Sequence, residues 1–228
     1  MSMKSKVLAA AAVLTLAGGL STAGTVAASA ATPECGMKCV EVYSMKYATP
    51  PANPTNLGFV ETVFQGIQAV GVPAVVQPAS GTNPAEDLIV PLAGTAASLA
   101  AQGWVSAAVG AHFDNATAVQ IEYAPHGNPT GLCSAVPTTA YQNEGLSLQP
   151  CTTKGTTIWI LDSADSPVHG YFPIVNGSDT DFNRPFAMTI LGNPAHQRFT
   201  PIIMQHLTGN PTSVPANQLW GSAFGPVS

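Results

Sequence analysis

A threefold internal repeat constrains this chain more than any other feature. The clearest copy runs Gly131-Leu132-Cys133-Ser134-Ala135-Val136, then a turn, then Gly145-Leu146-Ser147-Leu148-Gln149-Pro150-Cys151, then Thr157-Ile158-Trp159. An earlier copy runs Gly58-Phe59-Val60-Glu61-Thr62-Val63, Gly71, Ala74-Val75-Val76-Gln77-Pro78-Ala79 and Glu86-Asp87-Leu88. A later one runs Phe186-Ala187-Met188-Thr189-Ile190, Ile202-Ile203-Met204-Gln205-His206-Leu207 and Gln218-Leu219-Trp220. Each copy reads as strand, turn, strand with a Gln near its end, loop, and strand with a large apolar residue. One such unit cannot bury its own apolar face. Three of them around a pseudo-threefold axis can.

The rest of the chain agrees with an all-β reading. Short runs rich in Val, Ile, Thr and aromatics, such as Val40–Tyr43, Val119–Tyr123 and Tyr171–Val175, are separated by Pro and Gly. One stretch, Ala96–Val109, is Ala-rich and reads either as a helix limited by Gly103 and Gly110 or as a further strand pair around Trp104. The Pro/Asn-rich segments Thr49–Asn56 and Gly209–Pro215 are too short to be linkers between domains. The chain therefore divides into residues 1–30, a leader over 31–40 and one domain over 41–228.

Residues 1–30 read as a secretory signal peptide. Lys4 and Lys6 precede the apolar Val7–Leu20, and Ala28-Ser29-Ala30 is a small-x-small cleavage signal. The apolar run is shorter than a membrane span of roughly 20 residues. No later segment is long and apolar enough to span either, so a secreted protein without a membrane partner is expected. Removing Lys4 and Lys6 leaves five basic residues against twelve acidic ones, a net charge near −7. Such a surface repels phosphate backbones, which argues against nucleic acid as a partner. Charged residues are 8% of the chain and apolar ones 46%, a balance that suits a folded β protein rather than a disordered one.

The four cysteines, Cys35, Cys39, Cys133 and Cys151, all lie beyond the signal, in a chain bound for an oxidising compartment. Two disulfides have three possible pairings. Adjacent pairing, Cys35–Cys39 and Cys133–Cys151, is expected, with Gly36 allowing the tight turn that the first requires. The spacing is not a paired C-x-x-C set, and no histidine lies near at ligand spacing, so zinc is not expected.

The order G-x-C-x-x-V, glycine turn, L-x-L-Q-P-C and a tryptophan-bearing strand over residues 131–159 resembles the units of ricin-type β-trefoil lectins. Ala216-Asn217-Gln218-Leu219-Trp220 is the best match to their Q-x-W motif. The resemblance covers roughly residues 41–228, and the chain is similar to a divergent branch of secreted bacterial proteins with this layout. It implies an all-β β-trefoil with three pseudo-repeats, an intra-unit Cys133–Cys151 disulfide, and Trp159 and Trp220 as core residues rather than ligand contacts.

The resemblance also says where sugar binding should be. Family sites use an Asp two residues after the first cysteine, an aromatic two residues before the second, and an Asn just before the Q-x-W glutamine. Here the first position holds Thr62, Ala135 and Thr189 in the three units, and the second holds Gln77, Gln149 and Gln205. Asn217 alone survives, with Gln218 behind it. The candidate ligand-binding set is thus Asn217, Gln218, Gln205, His206 and Thr189, all in the third unit.

Other polar clusters have plainer readings. Asn176–Asp181 reads as a turn, with a calcium ion or a sugar as the alternative. Glu86-Asp87 reads as a solvated loop, and Asp162 and Asp165 likewise as loop residues. Glu122 reads as paired or outward-facing. There is no G-x-S-x-G, H-E-x-x-H or P-loop pattern, so no catalytic residue, metal or cofactor is expected. The expected function is non-enzymatic recognition of a carbohydrate or polysaccharide. The alternative is a trefoil that binds an extracellular protein, as an inhibitor or structural component.

Overall fold

The computed structural model describes residues 39–47, 58–80, 83–194, 196–197, 199–207 and 213–224. The expected signal peptide, most of the expected leader and Cys35 lie outside them. The first unit contributes β1 (Cys39–Ser44), β2 (Phe59–Val63), β3 (Ala74–Pro78) and β4 (Leu88–Ile89). An insertion follows, with β5 (Ala93–Thr95), α1 (Ala96–Ala101) and α2 (Ala107–His112). The second unit holds β6 (Thr117–Val119), β7 (Glu122–Tyr123), β8 (Leu132–Ala135), β9 (Ser147–Pro150) and β10 (Trp159–Leu161). The third holds β11 (Ile174–Asn176), β12 (Phe186–Ile190), β13 (Thr200–His206) and β14 (Trp220–Phe224).

The outer strands of each unit form a closed ring. β1 pairs with β4, β4 with β7, β6 with β10 and β10 with β11, all antiparallel. Between the third unit's outer strands, Phe172 and Trp220 exchange two backbone hydrogen bonds at 2.9 Å. β14 then pairs with β1 over Val40↔Phe224 to Ser44↔Trp220 and closes the ring. The inner strands form three hairpins, β2–β3, β8–β9 and β12–β13. These join pairwise through Pro73↔Ser147, Gly145↔Ile203 and Thr200↔Val76. Ring and hairpin triplet together share one pseudo-threefold axis.

The alternation of the strands sends one face to that axis. Val63, Leu148, Met188, Ile190, Met204, Trp159 and Trp220 belong to the resulting core. Both tryptophans are fully buried, and each indole Nε1 donates to a backbone carbonyl at 2.8 Å, Trp159 to Ser134 and Trp220 to Met188. A buried indole N–H needs such a partner, and in the second and third units alike it comes from the first strand of the unit's own hairpin. In the first unit Leu88, 2% exposed, fills the corresponding place.

The insertion settles the ambiguity over Ala96–Val109 as two short helices rather than one helix or a strand pair. Thr95 Oγ1 accepts from Ser98 N at 3.1 Å and caps α1; Ser106 Oγ accepts from Val109 N at 3.1 Å and caps α2. Gly103, at φ 73°, ends the first. The two then pack so closely that a Cβ on Gly110 would lie 2.3 Å from that of Ala100. Leu99, Val109 and Phe113 cover Ile158, Ile160 and Leu219 in a second core on the outside of the sheet.

The Cys133–Cys151 disulfide is present, with Cα atoms 4.9 Å apart, and ties the start of β8 to the residue after β9. Cys39 is disulfide-bonded as well; its expected partner is outside the described residues. One expectation is overturned. Glu86 and Asp87 are 4% and 5% exposed, not solvated. Glu86 is held by Gln77 and Ser80, and Asp87 Oδ2 accepts from His126 N at 2.7 Å. Charged groups can be buried where hydrogen bonds replace water.

Candidate functional site

The third-unit residues converge on one socket. Gln218, 2% exposed, donates from Nε2 to Thr189 Oγ1 at 3.0 Å, to Gln205 O at 3.3 Å and to His206 O at 3.2 Å. Thr189 is 1% exposed. This pair fastens the turn Ala216–Gln218 to the β12–β13 hairpin. Asn217 is half-buried and donates from Nδ2 to Ile190 O at 3.3 Å. Gln205 and His206 are also half-buried. Gln205 Nε2 donates to Asn143 Oδ1 at 3.3 Å. The His206 ring stacks on Phe186 at 3.8 Å and meets the Arg184 carbonyl through Nδ1 at 2.5 Å. The surface left by this group consists of the edges of Asn217, Gln205 and His206.

The same socket recurs with other chemistry in each unit. In the first, Glu86 stands where Gln218 does and accepts from Gln77 Nε2 at 3.2 Å, while Thr62 Oγ1 donates to Ala85 O at 2.7 Å. In the second, Thr157 takes that place and its Oγ1 accepts from Gln120 Nε2 at 2.9 Å. Gln120 lies in the break between β6 and β7, where the strand gives up its ladder and turns a side chain inward.

A strongly polar opening lies elsewhere, between the first unit and the second. It is a cleft of about 700 Å³. Three tight turns frame it, Phe64–Gly66, Pro84–Glu86 and Pro125–Gly127. Its hydrogen-bonding side chains are Gln65, Gln68, Asn83, His126, Asn128 and Thr130. Gln65 and His126 sit at φ 53° and 55°, a left-handed backbone that costs an L-residue about 1–2 kcal/mol. Both strained residues carry their side chains to this one cleft, and each precedes a glycine that completes its turn. Tyr123 Oη donates to Gly66 O at 3.2 Å, and Asn83 Oδ1 accepts from Ala85 N at 3.1 Å, so two of the turns are pinned by their neighbours. No carboxylate lines the cleft among the described residues.

Several carboxylates are buried away from it. Glu61 faces the barrel axis where Ser134 and Met188 stand in the other units. Burial pushes its carboxyl up to about 7, with the neighbouring Ser134 hydroxyl pulling the other way. Neither of its oxygens has a partner at hydrogen-bonding geometry among the described residues. Glu41 is likewise raised to about 7, by burial first and then by Glu86 and Asp87. Glu122 is paired, its Oε1 accepting from Gly131 N at 2.6 Å. Asp179 is buried inside its turn, accepting from Asp181 N at 2.8 Å and from Phe186 N. Asp162 and Asp165 border a smaller cavity of about 290 Å³ beside His112, and burial raises the Asp162 carboxyl. Among the described residues no three His, Cys, Asp or Glu side chains are grouped to hold a metal ion, and no helix is long and apolar enough to cross a membrane.

The cleft was not among the sequence candidates. Its signal in the sequence is faint: Phe64-Gln65-Gly66 and Pro125-His126-Gly127 are both x-Gly turns after a strand, and nothing marks Gln and His as the residues that take positive φ.

No family model matches the chain, and no curated protein matches it in sequence. Solved structures match it in fold. A designed threefold-symmetric protein, ThreeFoil, has a TM-score of 0.51 at 12% identity, over 81% of this chain and 96% of that one. The Rhizoctonia solani agglutinin has a TM-score of 0.49 at 12% identity, over 82% and 95%. The C-half of an earthworm R-type lectin, in complex with GalNAc, has a TM-score of 0.43 at 15% identity, over 82% and 98%. ThreeFoil's threefold symmetry is the counterpart of the unit repeat found here, and the chain is a β-trefoil.

Proposed function

We propose that this β-trefoil is a secreted, non-enzymatic carbohydrate-binding protein whose principal site is the cleft between its first and second units. The observation that carries this reading is the chemistry of the cleft. Its side-chain amides, imidazole and hydroxyl offer hydrogen-bond donors and acceptors, as a hydroxyl-rich ligand requires. The side-chain amides of Gln65 and Gln68 make no hydrogen bond within the described protein and are available to a ligand. The walls are fixed in advance by Tyr123, Asn83 and Asp87, which lowers the ordering cost of binding. The cleft volume falls in the range of roughly 300–1,000 Å³ usual for small-ligand sites. Asn217, Gln205 and His206 form a second, shallower subsite in the third unit, with Thr189 and Gln218 as its support.

The test is a glycan array and polysaccharide pull-down with the purified, oxidised protein beside Asn128→Ala and Asn217→Ala variants. Loss of binding in Asn128→Ala places the ligand in the cleft. Loss only in Asn217→Ala moves it to the third unit. A folded protein that binds no glycan refutes the carbohydrate reading.

A further inference from the structure

A second opening has the opposite character. It is a cavity of about 560 Å³ where the three hairpins meet. Ala74, Leu146 and Ile202 occupy equivalent places in the three units and form its floor, each at most 2% exposed. Pro73, Gly145 and Pro201, again equivalent, form its sides. The cavity thus sits on the pseudo-threefold axis. Phe64 and Phe199 meet edge to face at 4.8 Å on its wall, and Phe199 is held there at φ 65°. For a bulky side chain that backbone is strained.

The surroundings share this character. The exposed large apolar residues of the described protein are Ile67, Val70, Tyr141 and Leu191. All four lie in the three hairpin connections, residues 64–73, 136–146 and 191–201, that also supply the cavity. Among the described residues of these connections no carboxylate or ammonium is exposed; Glu144 is buried and holds Thr138. Among the described residues its lining carries no charged side chain, on a chain that is acidic as a whole. Its walls are preformed, since Ala74 N donates to Leu146 O and Leu146 N to Ile202 O, both at 3.0 Å.

We propose that this axial cavity is a binding site for an uncharged, ring-sized apolar molecule, separate from the polar cleft. An apolar wall without a charged side chain leaves an ion unpaired and rejects it. The volume suits a small molecule of one or a few fused rings. Gln149 and Ser147, hydrogen-bonded to each other at 3.0 Å, are the polar pair at its edge and fit a ligand with a single hydroxyl or carbonyl.

The experiment is a fluorescence titration of the purified protein with the uncharged probe N-phenyl-1-naphthylamine, with mass in solution measured in parallel. Saturable one-to-one binding is expected. Gly145→Leu is expected to weaken it at least tenfold, because a Cβ at Gly145 meets no atom within 4 Å and the added side chain grows into the opening. Glycan binding in the same variant stays unchanged. Pro137→Asp, a charge on the exposed rim, weakens the probe too and decides the matter if Gly145→Leu does not fold. Absence of saturable binding, or full binding in folded variants, overturns the proposal. So does a dimer that excludes the probe and dissociates in Gly145→Leu, which would make a second copy the occupant.

Discussion

Gln218 Nε2 stands 3.0 Å from Thr189 Oγ1, and neither side chain reaches solvent. The glutamine also serves two carbonyls of β13, so its amide is the joint between the third unit's last turn and its hairpin. Gln218→Ala leaves these acceptors buried and unserved, and is expected to cost about 1–3 kcal/mol. Denaturant unfolding measures it: the midpoint falls while the cleft between the first and second units keeps its ligand.

The pH dependence of stability follows from Glu61. Its carboxyl is raised to about 7 in the folded chain from an ordinary 4.5. Between those values the folded state holds a proton that the unfolded state has lost. Stability is therefore full below pH 4.5, declines as pH rises toward 7, and is level above it. Glu61→Gln is expected to flatten this decline, which amounts to a few kcal/mol. Glu41 acts in the same window, so part of the slope remains. Unfolding free energies of both proteins at a series of pH values give the comparison; parallel curves would contradict it.

The Cys133–Cys151 bridge closes a separation of 18 residues. In the chain-entropy picture its removal by a double alanine substitution costs about 3 kcal/mol. Calorimetry is expected to show a lowered midpoint with the trefoil still formed, because the bond lies inside one unit and the backbone pairing of β8 with β9 survives it.

Gln65→Gly separates binding from stability. Glycine takes φ 53° without the steric cost that glutamine bears there. The substitution is expected to change stability by no more than about 1 kcal/mol, while glycan affinity falls because an amide of the cleft is gone. A thermal melt and a binding isotherm on the same preparation test both halves.

Much of this molecule was legible in its sequence, and the pattern of what was not is physical. The repeat, the buried Trp159 and Trp220 and the Cys133–Cys151 bridge came through because each is local or recurs at fixed spacing. The burial of Glu86 and Asp87 did not, because it depends on Gln77, Ser80 and His126 from other segments. Ala96–Val109 was ambiguous because two six-residue helices are too short for a clear period. The third-unit residues lie close together around Gln218, but their exposure is a matter of depth, which spacing does not report. The cleft stayed hidden because it is made by the meeting of two units, and its strained Gln65 and His126 carry no compositional mark.

The ring of strands is sealed by the segment nearest each end of the described chain, with Val40 opposite Phe224. A growing or truncated polypeptide that stops short of Trp220 thus has two open strand edges and an indole missing from its centre. Such a topology commits late: the longest-range pairing is also the last one available, which slows folding. Removal of β14 at one end of the described chain therefore releases β1 at the other.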